Sequence, residues 1–304
     1  MPKEFDIINY FRQQNCAAGK YIETGPGDDM AVMNIGGEKL LITTDMLLED
    51  VHFELGSATL AQIGYKAMAC SLSDCAAMCS VPIAAVGSIS LPKQYTMEQI
   101  ALLHSGLKQA SAAYNCPIIG GDMTSWDKPL TITITMLSLM TEGRKPIYRS
   151  GAKPGDKIMA TGTLGGSILG RHLSFEPRVN EALWLYDHAQ LHSMMDLSDG
   201  IGGDLRHICQ ESQVSAIVNY TKLPVSVAAS SYAEPGMHAL LDGEDFELLF
   251  TVSPEDCTKL LELWPPYSKL ELTEIGEIVE KRPAELYLKR DGETKPFDAT
   301  GFEH

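Results

Sequence analysis

Apolar positions in the first half of this chain alternate between short β-branched runs and longer stretches at helical spacing. Residues 4–15 predict an amphipathic helix, and residues 23–31 (ETGPGDDMA) a turn-rich loop. Residues 39–45 (KLLITTD) are an apolar run ending on Asp45, which predicts a buried strand. A long helix is expected over 59–79, with Ala, Met and Cys in its apolar stripe, then a strand over 83–91 and an amphipathic helix over 96–114. Residues 116–122 (CPIIGGD) read as a short strand running into a glycine turn. Residues 129–140 alternate Thr with apolar residues, as a half-buried strand does.

Residues 149–157 (RSGAKPGDK) are rich in Gly, Pro and charge and mark a domain edge. The expected division is 1–148 and 149–304. Beyond it come a strand at 157–161, a glycine turn at 161–167 (TGTLGGS) opening a helix, and a helix over 178–191. Residues 193–204 then lead into a helix ending near Ser212. Further strands are expected near 214–219, 246–252, 270–278 and 285–290. Strands alternating with helices in this way predict an α/β (α+β) fold.

The net charge of −16 over 304 residues is dispersed, with no long acidic run. Such a chain makes a poor nucleic-acid binder, because phosphate backbones are held by Lys and Arg. Any phosphate would be held through divalent cations. No signal peptide and no apolar run of about 20 residues is visible, so neither secretion nor a membrane span is expected. The seven cysteines (16, 70, 75, 79, 116, 209 and 257) form no C-x-x-C pair and suit free thiols in a reducing cytoplasm.

Carboxylates recur just past apolar strands or inside glycine turns: Asp28 and Asp29, Asp45, Asp122, Asp196 and Asp199, Glu244 and Asp245. Asp74 lies inside an apolar helix, where it has no capping role. Carboxylates gathered at strand ends repel unless paired or bound to metal, and hard oxygen ligands suit Mg²⁺. Any one of them alone would equally serve as a turn former or helix cap. The turn at 161–167 either cradles phosphate on backbone N–H groups or simply packs closely. His52 is either structural or a contact to a substrate phosphate. Cys75 and Cys79, at i and i+4, are expected to be buried packing residues. Walker-type, dinucleotide-binding and nucleophile-elbow motifs are absent.

The segments GPGDDMAVM (25–33), LLITTDMLLEDVHF (40–53), GYKAMACSLSDCAAM (64–78), PIIGGDMT (117–124), RSGAKPGDKIMATGTLGGS (149–167), EPRV (176–179), MDLSDGIGGDL (195–205) and DGEDFELLFT (242–251) occur in that order. Together they resemble the thiamine-monophosphate kinase family, within the wider group of ATP-binding enzymes related to aminoimidazole ribonucleotide synthetase. The resemblance implies two α/β domains in a homodimer. The N-terminal mixed sheets of two subunits would form a barrel across the dimer interface, and the C-terminal half an α/β sandwich. It implies ATP as co-substrate and thiamine monophosphate as acceptor.

By the same resemblance, several Mg²⁺ ions would be held by Asp28, Thr43, Thr44, Asp45, Asp74, Asp122, Asp196 and Asp199. His104, Gly121, Asp122, Arg149 and Ser198 would contact ATP, and His52, Glu244 and Phe302 thiamine monophosphate. Asp45, Asp74, Asp122 and Arg149 would carry catalysis. Departures from the family pattern are Met123 for a Thr, a missing Arg in the longer 123–129 loop, Ser71 for an Asn, and larger residues at Met30 and Cys79. Two rival readings are a related ATP-dependent synthetase of the selenophosphate or aminoimidazole-ribonucleotide type, and a non-catalytic nucleotide or thiamine-phosphate binder. Since every proposed ligand is an oxygen, excess chelator should abolish ATP turnover and Mg²⁺ should restore it. Full activity in chelator would refute the carboxylate assignment.

Overall fold

A computed structural model of the chain describes residues 7, 10–13, 19–141, 143–299 and 301. Residues 7 and 10–13 are helical, and the rest of the helix expected at 4–15 lies outside the described residues. The first of two mixed sheets has the order β1 (Ile22–Thr24), β2 (Ala31–Ile35), β3 (Glu38–Leu48), β6 (Thr131–Leu139), β4 (Val81–Pro92) and β5 (Ile118–Trp126). Only β4 and β5 run parallel. The alternation in β6 turns Ile132, Ile134, Met136 and Ser138 inward and the threonines outward. Helix α1 (Leu60–Ala77) lies on the inner face, with α2 (Met97–Ala113) packed against it.

The two helices start alike. The Thr59 hydroxyl accepts the Gln62 N–H while Gln62 accepts the Thr59 N–H, and Thr96 and Gln99 repeat the arrangement. Each pair satisfies two backbone donors that the first turn leaves open. The helices then cross at two glycines. A Cβ on Gly64 would stand 2.1 Å from the Leu103 carbonyl oxygen, and one on Gly106 only 1.8 Å from that of Ala61.

The second sheet has the order β13 (Glu293–Pro296), β12 (Leu286–Arg290), β9 (Ser215–Asn219), β11 (Leu272–Val279), β7 (Lys157–Thr161), β10 (Leu248–Val252) and β8 (Leu191–Asp196). Its one parallel pair is β12 with β9. Helices α4 (Ile201–Glu211) and α5 (Pro235–Leu241) share a core with one face. On the other, α3 (Val179–His188) and α6 (Pro254–Tyr267) share a core that takes in Ala76 and Cys79 from the end of α1. The six cysteines among the described residues are free and buried, Cys75 and Cys79 included.

Three local expectations are corrected. β3 continues past Asp45 to Leu48, because residues 46–48 keep their pairing with β6 and Leu47 is buried. Gly120 and Gly121 do not turn the chain; β5 runs through them to Trp126 beside β4. Glycine is needed there because a Cβ on Gly121 would meet the Gly87 carbonyl oxygen at 1.9 Å. The turn at 161–167 leads into two short 3₁₀ turns, Ser167–Leu169 and Arg171–Leu173, in place of a helix. Strands β1, β2 and β13 and helices α5 and α6 had no counterpart among the sequence expectations. Gly106→Ala should test the helix crossing. Alanine in a helix interior ordinarily stabilises by about 1 kcal/mol over glycine. Here the clash should reverse the sign and cost about 1–3 kcal/mol in chemical denaturation.

Candidate active site

Alternation along β3 decides which of its polar groups meet. Thr43 and Asp45 share the inner face with the buried Leu41 and Leu47, whereas Thr44 and Met46 point outward. Helix α1 answers the inner pair: Thr43 donates its hydroxyl proton to Asp74, and Ser71 donates to Asp45. Two residues after Ser71, the Ser73 hydroxyl donates across to Asp196 at the end of β8, 2.5 Å away. Asp29, from the loop before β2, completes the group. One carboxylate oxygen from each of Asp29, Asp74 and Asp196 lies within 4.8 Å of the others.

Arg149 binds this cluster from the start of the second half. Its side chain pairs with Asp29, and its backbone N–H donates to Asp28 at 2.7 Å. Two buried atoms beside it lack a hydrogen-bond partner, Asp29 Oδ2 and Arg149 Nε. Crowding of like charge away from water disfavours ionisation. Burial pushes Asp196 up to about 7, and Asp29 adds to the rise. Asp74 goes well above the ordinary carboxyl range, through burial first and then through Asp45, Asp196 and Asp29. Burial likewise raises Asp45, against the Ser71 hydrogen bond, and takes Asp28 to about 6. Burial opposes the charge on Arg149, but Asp29 outweighs it and holds the guanidinium protonated.

A second group of polar residues adjoins. The 242–247 loop places Glu244 and Phe246 at left-handed φ of 62° and 49°. Non-glycine residues hold that conformation only under constraint. Here the Glu244 N–H donates to the Ser198 carbonyl at 2.6 Å and the Phe246 N–H to that of Leu197 at 2.7 Å, while Phe246 stacks on Phe175 with centroids 4.1 Å apart. The Glu244 carboxylate meets Lys66, a fully buried lysine on α1 whose Nζ also donates to the His52 carbonyl at 2.6 Å. His52 Nδ1 accepts the Leu48 N–H at 3.0 Å, which puts the proton of the neutral ring on Nε2.

The other expected residues are spread more widely. Ladder pairing with Ser88 and Thr133 sets Asp122 on the outer face of the first sheet, exposed, and Thr44 shares that face, 3.0 Å from the Thr135 hydroxyl. His104 is exposed on α2. Asp199 donates its N–H to Asp204, a buried carboxylate in the first turn of α4. Phe302 lies outside the described residues. The segment leading to it passes the same turn, since a Cβ on Gly301 would stand 1.7 Å from the Asp199 carbonyl oxygen.

Some of the recurring carboxylates are structural. Asp245 accepts from Arg171 and from the Gly165 N–H, and Glu247 takes a bidentate pair from Arg178. The glycine turn thus offers its N–H groups to this chain's own carboxylates, Asp245 and, through Gly166, Asp242. Asp29 stood among the recurring carboxylates but outside the ligand set that the resemblance implies, and Lys66 was in neither. Lys66 carried a usable signal, lying eight residues before Asp74 and so on nearly the same face of α1.

Comparison with known proteins fits this geometry. AIR synthase related protein, N-terminal domain, matches residues 27–140, and its C-terminal domain matches residues 176–289. A thiamine-monophosphate kinase of Rhodopirellula baltica is 40% identical over 77% of this chain and 78% of its own length. That of Escherichia coli K12 is 34% identical over 99% and 98%. The chain belongs to the thiamine-monophosphate kinase family. Among solved structures, AaThiL complexed with AMPPCP and TMP superposes with a TM-score of 0.84 at 29% identity, covering 99% of this chain and 97% of that one. Ser71 reaches Asp45 with its hydroxyl. Met123 and Trp126, in the divergent 123–129 stretch, extend β5.

The buried carboxylates give a pH prediction. Asp74 and Asp196 have folded pKa values above their unfolded ones, so the stability they contribute is full below about 4 and is lost as pH rises, for Asp196 through about 7. Metal-free protein should therefore melt at falling temperatures over that window, and Asp74→Asn should flatten the fall while abolishing turnover. A flat wild-type profile in chelator, or an active Asp74→Asn, would count against the cluster.

Proposed function

We propose that this chain transfers the γ-phosphoryl group of ATP directly to the phosphate of thiamine monophosphate, giving thiamine diphosphate. The observation that carries the reading is the convergence of Asp29, Asp74 and Asp196 beside Arg149, where the two halves of a thiamine-monophosphate kinase family chain meet. An all-oxygen donor set with one buried, unpartnered carboxylate oxygen fits Mg²⁺. Asp29, Asp74 and Asp196 would hold it, with Thr43 bonded to Asp74, Asp45 near enough to act on that carboxyl, and Asp28 and Asp199 one and three residues from Asp29 and Asp196. Bound there, Mg²⁺ would supply positive charge to the phosphate oxygens.

The residues of the chain do the rest. Arg149 is fixed by Asp28 and Asp29, and the exposed part of its side chain would meet a phosphate oxygen. The acceptor is a phosphate monoester with a second pKa of about 6, so near neutral pH it is already a dianion and needs no general base. Catalysis then rests on positioning two polyanions and neutralising their repulsion. His52, whose Nδ1 accepts the Leu48 N–H, has Nε2 as a donor suited to the acceptor phosphate. Glu244 and Phe302 complete the acceptor side, and Ser198, in the turn that receives the Glu244 N–H, faces the nucleotide.

The outer face of the first sheet supports a homodimer. Met46, Ile119 and Met123 are exposed there or at its β5 edge, and the sheet is open, with β1 and β5 as its edges. A second copy packed on this face would close the expected barrel and bring Thr44, Gly121 and Asp122 into a nucleotide site at the subunit junction. The division at 148/149 follows the two sheets, whose strands run over 22–139 and 157–296. Buried free thiols suit a cytoplasmic enzyme. No described helix is long and apolar enough to cross a membrane.

Initial rates with Mg²⁺ and ATP test the reading. Thiamine monophosphate should be phosphorylated and free thiamine, whose alcohol must lose a proton, only very poorly. The rate should fall on the acid side near pH 6. Equal use of the alcohol, or no turnover of either, would overturn it.

A further inference from the structure

Lys66 is the largest fully buried polar side chain among the described residues, and nothing in phosphoryl transfer itself calls for a cation inside α1. Its Nζ donates to the His52 carbonyl at 2.6 Å and pairs with Glu244. We propose that Lys66 is a positioning residue for the acceptor, holding His52 and Glu244 in register with the carboxylate cluster. This rests on the kinase reading above. A buried ammonium is stable only when paired and hydrogen-bonded, so it restricts what it touches. By binding one carboxylate oxygen of Glu244 it leaves the other for the acceptor, and it cancels a charge that would repel an incoming phosphate dianion. By binding the His52 carbonyl it fixes the turn that presents the His52 ring.

The same helix carries Asp74 eight residues on, about 12 Å along a rigid axis at 1.5 Å per residue. Lys66 and Asp74 therefore tie acceptor contacts and metal ligands to one element. The contacts come from different parts of the chain: His52 follows β3, while Glu244 lies on a left-handed loop of the second half. Glu244 keeps 22% of its side chain exposed, whereas Lys66 has none, so the acid faces the open side of the pair.

The test is steady-state kinetics of the full chain with Mg²⁺, ATP and thiamine monophosphate, on Lys66→Met, Glu244→Gln and the double variant. Lys66→Met should raise KM for thiamine monophosphate at least tenfold and leave KM for ATP within twofold. The acceptor KM of the double variant should exceed that of Glu244→Gln, because the His52 turn is also released, but fall short of the product of the two single effects, because part of the cation's action runs through Glu244. A rise shared equally by both substrates, or two single effects that multiply in the double variant, would overturn the proposal. Should Lys66→Met fail to fold, the double variant, which removes both charges, carries the comparison with Glu244→Gln. An inactive wild type would instead sink the kinase reading.

Discussion

Everything at the centre of this protein depends on holding like charges together out of water. Asp29, Asp74 and Asp196 approach within 4.8 Å of one another, with Asp45 close enough to raise the pKa of Asp74. Left alone they would take up protons or push the fold apart. The chain restrains them with one cation and three hydroxyls: Arg149 on Asp29, Thr43 on Asp74, Ser71 on Asp45 and Ser73 on Asp196. These partners hold the carboxylates in place without neutralising them all. The remaining negative potential suits a divalent cation and the phosphates it would bind.

The same contacts join the two halves. Ser73 and Asp196 bridge α1 to β8, and Lys66 and Glu244 bridge α1 to the 242–247 loop. The Tyr65 hydroxyl donates to the Phe175 carbonyl, and Phe175 stacks on Phe246. Helix α1 is thus a shared wall, with one face on the first sheet and polar groups directed at the second half. Its glycine crossing with α2 lets that wall lie close against its neighbour. The geometry of the carboxylate cluster and the packing of the halves are one set of interactions.

Buried charge is also used purely for structure. Glu247, Asp245, Arg171 and Arg178 form a satisfied network, with Thr161 donating to Glu247 and Gly165 to Asp245. The difference from the Asp29–Asp74–Asp196 cluster is stoichiometric. In the network two guanidinium groups meet two carboxylates; in the cluster a single Arg149 meets three. An excess of buried negative charge, with an unpartnered oxygen at Asp29, is what marks a site for a ligand.

The sequence by itself missed β1, β2, β13, α5 and α6 but determined the main strands and helices from β3 to β12, the long α1 with its unexplained Asp74, and the family to which the chain belongs. Those properties are written locally: period two in 129–140, helical spacing in 59–79, and ordered motifs with few alternatives. It offered Asp28 and Asp29 side by side, and the resemblance named Asp28, whereas Asp29 enters the close cluster; adjacent residues in a turn point in different directions, and the docking of Arg149 fixes which one does. Residue pattern alone did not separate Glu244 from Asp245, and the resemblance was needed to name Glu244, since their partners Lys66 and Arg171 lie 178 and 74 residues away. Alternation put Thr43 and Asp45 on one face of β3 and Thr44 on the other, but which face met α1 was decided by the burial of Leu41 and Leu47. Pairing across such distances is set by how whole sheets and helices pack. A charge reads as ligand or as strut only once tertiary structure has brought its neighbours to it.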